Sequence, residues 1–494
     1  MKRTNQTSNY GFNFQNTYIK LDKRLFSSLN PVSVKKPSVA LWNETLAKEL
    51  GLEFPDGYKK DLAEIFSGNR LPEGSQPLAQ AYAGHQFGHF TMLGDGRAIL
   101  MGEHITPENK KFDIQFKGSG QTPYSRRGDG KATLYSMLRE YLISEAMHHL
   151  GIPTSRSLAV VATGEEVIRE TTHQGAVLTR VMTSHIRVGT FEYIRYLQPQ
   201  LIEEFTRYVI NRHFPDLAES ENPALALFEK VMQLQIDLVV NWMRVGFIHG
   251  VMNTDNMSIP GETFDYGPCA FMNDYHSQKV FSSIDHYGRY AFGNQPSIAQ
   301  WNLACFASTL LSQFDENEET ATEMAKERLE EFEKQFSSKF VSMMCRKLGI
   351  DDPVSGDAEL VEELLNLMQE NKADYTNTFL GLENKGIPCL FDGSNIFEKE
   401  AFSGWLNKWE NRVTQNGFTM EDAKKIMQKN NPAFIPRNHL VEEALEAASN
   451  KSDFNPFHKL HKILSDPYTR PREVSSYQLP PPGGDAGYQT FCGT

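Results

Sequence analysis

Cysteine is scarce in this chain of 494 residues, and basic charge is outnumbered. The five cysteines, Cys269, Cys305, Cys345, Cys389 and Cys492, are odd in number and show no CxxC spacing. That excludes a disulfide scaffold, gives no zinc-ligand pattern and fits a reducing compartment. With 50 Lys and Arg against 62 Asp and Glu, the formal charge is −12, which argues against a general binder of nucleic acid or of anionic membrane. Any phosphate chemistry must use a local basic pocket. No segment reaches the ~18 uncharged apolar residues of a membrane span, and the N-terminal "MKRTNQTSNYGFNFQNTYIKL" has no apolar core of signal-peptide length. The expectation is a cytoplasmic protein with neither membrane nor nucleic acid as partner. A GxSxG elbow is missing, so a serine hydrolase has no support, and no internal repeat is visible.

What is present is ordinary globular material, 40% hydrophobic and 23% charged, long enough for two or three domains. Residues 1–80 mix short apolar pieces with Pro and Gly, and Asn43 is placed to cap a helix. Residues 81–190 carry Gly and short alternating runs, which favours strands and turns. From 191 the pattern turns helical, and we divide it into 191–345 and 346–470. The segment 471–494 is a Pro- and Gly-rich tail that contains Cys492. A strand-rich part followed by a helix-rich part suggests a two-lobed enzyme with its site in the cleft between them.

In "KFDIQFK", Phe112, Ile114 and Phe116 alternate with Asp113, Gln115 and Lys117, so with "RAILMG" this reads as the second strand of a hairpin. An isolated lysine there would be a surface residue. Lys117, however, is flanked by "GDGR" and by "KGSGQTPYSRRGDGK", where small residues allow close approach of phosphate and Arg and Lys neutralise it. The next helix carries Leu134, Met137, Leu138, Tyr141 and Leu142 on one stripe, stops at Gly151 and Pro153, and holds Glu140 in its middle. Taken alone, Glu140 would be a solvated helix charge. A strand lysine held by a helix glutamate is also how a kinase fold positions its phosphate-binding ammonium.

The apolar run "LFEKVMQLQIDLVVNWMRVGF", with Val231, Leu234, Leu238 and Trp242 at helical spacing, ends abruptly in "IHGVMNTDNMS". Laid over the kinase catalytic loop HRDxxxxN, His249 matches the His and Asn256 the metal-binding Asn, but Val251 stands where the catalytic Asp belongs. Asp255 precedes Asn256, and Asp265 follows in "DYGP", where a kinase has DFG. Oxygen ligands of this kind suit Mg²⁺ or Mn²⁺ equally. Taken singly, His249 could cap the preceding helix, and Asn253 and Thr254 could serve a turn. His85 and His89 in "HQFGH" have the spacing of zinc ligands on a helix but no third ligand, so packing or support of the pocket is the expectation.

The motifs "AYAGHQFGHFTMLGDGRA", "FKGSGQTPYSRRGDGKATLYSMLREYL", "HGVMNTDNMS", "DYGP" and "FCGT" together resemble the selenoprotein O family of kinase-fold protein adenylyltransferases, in its cysteine-containing form. The resemblance implies an α+β, protein-kinase-like fold with a strand-rich N-lobe (81–190), a helical C-lobe (191–345) and a helical C-terminal region, with residues 1–80 packed on the N-lobe. It implies transfer of AMP from ATP to Ser, Thr or Tyr hydroxyls of proteins, the chain itself included, with ATP inverted relative to ordinary kinases and pyrophosphate leaving. By motif, Gly94, Gly96, Arg97, Lys117, Asp129, Gly130, Arg180, Arg187 and Asp265 would contact ATP, and Glu140 would orient Lys117. Asp255 would accept the proton, and Asn256 and Asp265 would hold Mg²⁺ or Mn²⁺. Four cations, Arg97, Lys117, Arg180 and Arg187, exceed what an adenine base could use, so the triphosphate is expected deep in the pocket. Two other readings stay open: an atypical kinase transferring the γ-phosphate, and a nucleotide-binding pseudokinase scaffold. Cys492 is either a free tail thiol or half of a reversible disulfide, with Cys269 its partner by position.

Overall fold

The computed structural model describes residues 9–55, 59–384 and 386–491 and is a mixed α+β protein built on one antiparallel sheet. Its strands are β1 (Phe26–Ser28), β2 (Ser38–Trp42), β3 (Leu78–Gln80), β4 (Ala83–Gln86), β5 (His89–Met92), β6 (Ala98–Ile105), β7 (Lys111–Lys117), β8 (Ala132–Thr133), β9 (Arg156–Ile168) and β10 (Thr172–Met182). The main sheet runs β1-β3-β6-β7-β10-β9-β2, with β8 attached to β10, while β4 and β5 form a separate hairpin. Strands from the first 80 residues thus lie at both edges of the same sheet as β6 and β7. The hairpin read from alternation is present: β6 pairs β7 antiparallel with Ala98 opposite Lys117 and Ile105 opposite Lys111.

Alternation sorts the two faces of the sheet. Ile114 and Phe116 of β7 and Val177 and Val181 of β10 pack with Leu46, Leu50, Leu62 and Phe66 in one core. These leucines and Phe66 come from α1 (Glu44–Glu49), which Asn43 caps by accepting from Leu46 N as its sequence position predicts, and α2 (Lys59–Phe66), or lie one residue beyond. On the other face lies α3 (Leu134–His149), whose expected stripe is buried along with Arg139 and Glu140. This face merges with the larger core of the helical part. The polar side of β7 therefore does not meet solvent: Asp113, Gln115 and Lys117 are all buried.

The helical part begins with α4 (Val188–Leu197), α5 (Ile202–His213) and α6 (Pro223–Arg244), followed by α7 (Gln295–Phe314) and α8 (Glu318–Lys347); further helices lie between residues 357 and 464. Asn222 caps α6 by accepting from Leu225 N, Pro223 opens it, and Val231, Leu238 and Trp242 are buried as the helical spacing predicts. Gly246, with φ of 73°, ends it. Directly after come the two-residue strands β11 (Phe247–Ile248) and β12 (Ala270–Phe271), which pair and pinch together the base of the loop 249–269. His249 is not a cap of α6. Its Nε2 bonds the Phe264 carbonyl (3.1 Å) and its backbone N–H donates to Gln295 Oε1 (3.1 Å), so it ties the two arms of that loop together.

"HQFGH" is not helical. His85 lies on β4 and His89 on β5, and Phe87 (φ 50°) and Gly88 (φ 85°) form the two-residue turn between them. Two successive left-handed residues are what a tight hairpin with native twist demands. Phe87 holds this costly conformation with a backbone N–H donated to Asn253 Oδ1 (3.1 Å) and its ring against Tyr290.

Candidate active site

The polar face of β7, the middle of α3, β10 and the loop after β11 converge on one cleft of about 440 Å³. At its buried end two cations and two anions alternate. Lys117 Nζ donates to Glu140 Oε2 (2.6 Å) and to Asp265 Oδ1 (2.5 Å). Arg180 donates through Nε and Nη2 to Glu140 Oε1 (2.8 and 2.5 Å) and through Nη2 to Asp265 Oδ1 (2.7 Å). Burial alone would raise both carboxyls, but Arg180 and Lys117 outweigh it and hold Glu140 below and Asp265 well below the ordinary carboxylate range. Burial pushes the Lys117 ammonium down, against the same two carboxylates. The side chains of Lys117, Glu140 and Arg180 are 3–6% exposed, whereas that of Asp265 is 27% exposed and so faces the cleft. Asp265 has a left-handed backbone (φ 61°), uncommon outside glycine and held here by its surroundings.

Beside this ring, a short turn over Thr254–Asn256 carries Asp255. Its carboxyl is buried, and Oδ1 has no hydrogen-bond partner among the described residues. Burial pushes it up to about 6, against the pull of Arg187. Arg187 donates from Nη1 to the Asp255 carbonyl (3.0 Å) and stacks 4.0 Å over the Tyr82 ring. The turn is held from outside: Thr254 Oγ1 donates to Glu192 Oε2 (2.6 Å) and accepts from His85 N (2.7 Å). Asn256 Nδ2 donates to the Val251 carbonyl (3.0 Å), and its Oδ1 makes no hydrogen bond among the described residues. Packing is close at Gly84, where a Cβ would stand 2.5 Å from Asp255 Oδ1 and would displace that side chain.

The glycine loops form the outer wall. A Cβ on Gly94 (φ 136°) would meet the Tyr124 ring at 2.4 Å, and one on Gly130 (φ 69°) the Gly120 carbonyl oxygen at 2.1 Å. Asp129 is half-exposed and paired with Arg169 (2.9 Å). The cleft is lined by all twelve of the nucleotide, catalytic and metal residues expected from the motifs: Gly94, Gly96, Arg97, Lys117, Asp129, Gly130, Glu140, Arg180, Arg187, Asp255, Asn256 and Asp265.

Residues that the sequence did not single out also line the cleft, among them Tyr82, Asp95, Tyr124 and Arg169. Asp95 lies between Gly94 and Gly96, with Oδ1 3.8 Å from Arg187 and its carboxyl pushed up to about 6 by burial. An acidic residue inside a glycine turn was the available signal. His85, set aside as packing, bonds Glu192 Oε1 through Nδ1 (2.5 Å), and Cys305 comes near enough that the three potential ligand atoms lie within 4.8 Å of one another. Glu192 of α4 and Cys305 of α7 thus join His85, His89 is not in the group, and both Glu192 oxygens already serve His85 and Thr254.

The cysteine pair stands apart. Cys269 is buried, outside the cleft lining, and its thiol is pushed up to about 11 by burial. Its carbonyl accepts from Arg139 Nη2 (2.7 Å). Cys492 lies outside the described residues. The tail just before it reaches this region, since Thr490 Oγ1 donates to the Pro268 carbonyl (2.7 Å) and Phe491 lines the cleft.

A family model described as "Protein adenylyltransferase SelO" matches residues 9–465. The chain belongs to the SelO family. Relatives named "Protein nucleotidyltransferase YdiU" include one from Nitrosococcus oceani, 51% identical over 485 residues covering 98% of each chain. Another, from Pelagibacter ubique, is 52% identical over 485 residues (98% of this chain, 99% of the relative), and one from Geobacillus kaustophilus is 51% identical over 487 residues with the same coverage. The resemblance read from the motifs is borne out over nearly the whole chain.

Proposed function

We propose that this SelO-family chain is a protein adenylyltransferase that transfers AMP from ATP to Ser, Thr or Tyr hydroxyls of proteins, with the nucleotide inverted relative to ordinary kinases. The sheet and the helices after it would form the two lobes of a protein-kinase-like fold, dividing near residue 190, with helical regions meeting near 345 and a tail from about 471. The observation that carries this reading is the burial of Lys117, Arg180 and Arg187 at the closed end of the cleft, with Arg97 nearer its rim. Three desolvated cations suit a triphosphate held deep inside, and guanidinium groups bind phosphate oxygens through fixed forks. An adenine ring would gain little there.

In the reaction, the acceptor oxygen attacks the α-phosphorus, the bond to the bridging oxygen of pyrophosphate breaks, and the hydroxyl proton passes to Asp255. A buried carboxyl at about 6 is deprotonated at neutral pH yet basic enough for that proton. Val251, apolar and lining the cleft, cannot take the role of the usual kinase Asp. Lys117, positioned by Glu140, and Arg180 and Arg187 would offset charge on the α-phosphate and the leaving pyrophosphate. The donors available to Mg²⁺ or Mn²⁺ are oxygens, the cleft-facing carboxylate of Asp265 and the Oδ1 of Asn256, which accepts no hydrogen bond among the described residues, and this fits a hard cation. When bound, the ion would supply positive charge to the phosphates.

The half-buried tail and the Pro268 contact of Thr490 support a redox role for Cys492 with Cys269, although the raised Cys269 thiol argues for slow exchange. The test of the main reading is labelling of protein by ATP radioactive at the α- or at the γ-phosphate, beside Asp255→Ala and Asp265→Ala. Label from the α-position alone, lost in both variants, is expected. Label from the γ-position would return the chain to an ordinary kinase.

A further inference from the structure

A general base acts only when its carboxyl is aimed at the proton, so whatever fixes that carboxyl shares in the rate. The bonds around Asp255 described so far hold its backbone: Arg187 donates to its carbonyl, and Glu192 and His85 N hold its neighbour Thr254. Among the described residues, the side chain that bonds the carboxyl itself is Gln86, and this bond favours the charged form. Gln86 is half-buried, lines the cleft beside Asp255 and belongs to none of the site residues read from the motifs.

Its mount is rigid. Gln86 ends β4, and the residues on either side of it are fastened to the catalytic loop. His85 N donates to Thr254 Oγ1 (2.7 Å), and Phe87 N donates to Asn253 Oδ1 (3.1 Å), which also accepts from the Tyr290 hydroxyl (2.5 Å). Successive strand residues point to opposite faces, so Gly84 and Gln86 share one face and His85 takes the other, where its Nδ1 bonds Glu192 Oε1 (2.5 Å). The shared face is the one toward the base, since a Cβ on Gly84 would stand 2.5 Å from Asp255 Oδ1. The strand therefore meets the Asp255 carboxyl twice, once at a residue with no side chain and once through an amide.

We propose that Gln86 is a positioning residue for the transfer reaction, its amide holding the Asp255 carboxylate in the rotation that presents it to the acceptor hydroxyl. An ionised carboxylate only accepts hydrogen bonds, so the partner atom is the amide nitrogen of Gln86. The amide carries no charge and gives up no proton at neutral pH, so it fixes the base without competing for the proton the base takes. A carboxylate at the same position would face Asp255 with nothing to donate. The inference rests on the reading of Asp255 as the base and adds what that reading leaves open, the group that aims it.

The test measures transfer by the full-length chain from ATP labelled at the α-phosphate to the proteins of a cell lysate, in Gln86→Ala and Gln86→Glu. Gln86→Ala is expected to lower kcat about tenfold, with KM and Kd for ATP and the melting temperature unchanged. Gln86→Glu keeps the shape of the side chain but removes the donor and sets a like charge against Asp255, so its kcat should fall about a hundredfold, below that of the alanine variant. A residue that only packs would give the opposite order, with the glutamate of equal shape the milder change. That opposite order, an unchanged kcat in both variants, or a loss carried by KM or by the melting temperature would overturn the positioning role while leaving AMP transfer intact. A wild-type chain that places no α-label on any protein is the separate result that removes the underlying reaction.

Discussion

Two buried charge clusters hang from the same face of β7, four residues apart, and they differ in one respect. At Asp113 the cluster is closed: Arg212 Nη2 donates to Asp113 Oδ1 (2.5 Å), Arg212 Nη1 pairs with Glu103 Oε2 (2.9 Å), and His185 N donates to Asp113 Oδ2 (2.8 Å). Glu103 Oε1 also accepts from Thr17 N (2.7 Å) and Tyr18 N (2.6 Å); the side chains of Asp113, Glu103, His185 and Arg212 are at most 4% exposed, with the partly exposed Lys111 at the rim, 3.5 Å from Glu103 Oε2. At Lys117 the cluster is open on one side, through Asp265. The closed group spends its hydrogen bonds on tying the N-terminal segment, the sheet and α5 together. The open group keeps charge available at a cleft. Burial of charge by itself does not mark a site; burial with one face left to solvent does.

The comparison breaks most visibly at the closed end. Asp113→Ala leaves Arg212 buried with one of its two carboxylate partners, so a loss of about 3–5 kcal/mol of stability is expected in denaturant unfolding. At the open end, Asp265→Ala should cost ~10²–10³-fold in transfer rate and less than about 1 kcal/mol in stability, because Glu140 still pairs with both cations. Equal stability losses in the two variants would erase the distinction. Lys117→Ala belongs with the open end and should slow transfer with a weaker hold on ATP, read in kcat/KM.

Acid sharpens the same contrast. Burial holds His185 down to about 4 and Arg212 helps to hold Asp113 below the ordinary carboxylate range. Both groups bind fewer protons folded than unfolded, so stability falls as pH drops, through His185 from about 6.5 to about 4 and through Asp113 from about 4 downward. Activity should fail earlier, because Asp255 gains its proton near 6; a transfer rate falling about tenfold per unit below that, in protein still folded by circular dichroism, is expected. The smallest effect should come from Gly84→Ala, which must shift Asp255 by a fraction of an ångström and lower the rate several-fold while binding ATP normally.

The strand-helix logic of the open cluster was legible in the sequence. Alternation put Lys117 on the polar face of β7, helical spacing put Glu140 in α3, and the break after Trp242 marked the loop of Asp255. Alternation could not say that this polar face is buried, because its covering, α3 and the loop of Asp265, comes from distant sequence. Arg180 and Asp265 therefore entered by motif and not by pattern. Asp95 and Arg169 were missed because a charge in a turn carries no periodicity to show where it points. His85 and His89, read as packing or support of the pocket, owe their spacing of four to a two-residue turn in which Phe87 and Gly88 are both left-handed, and not to a helix.

The most direct test of the account is the mass of intact protein, the chain itself and an added acceptor, after incubation with ATP and Mg²⁺, beside Asp255→Ala and Asp265→Ala. The account predicts additions of the mass of AMP that vanish in both variants. Additions of the mass of phosphate, or AMP additions that persist in Asp255→Ala at the wild-type rate, would contradict it.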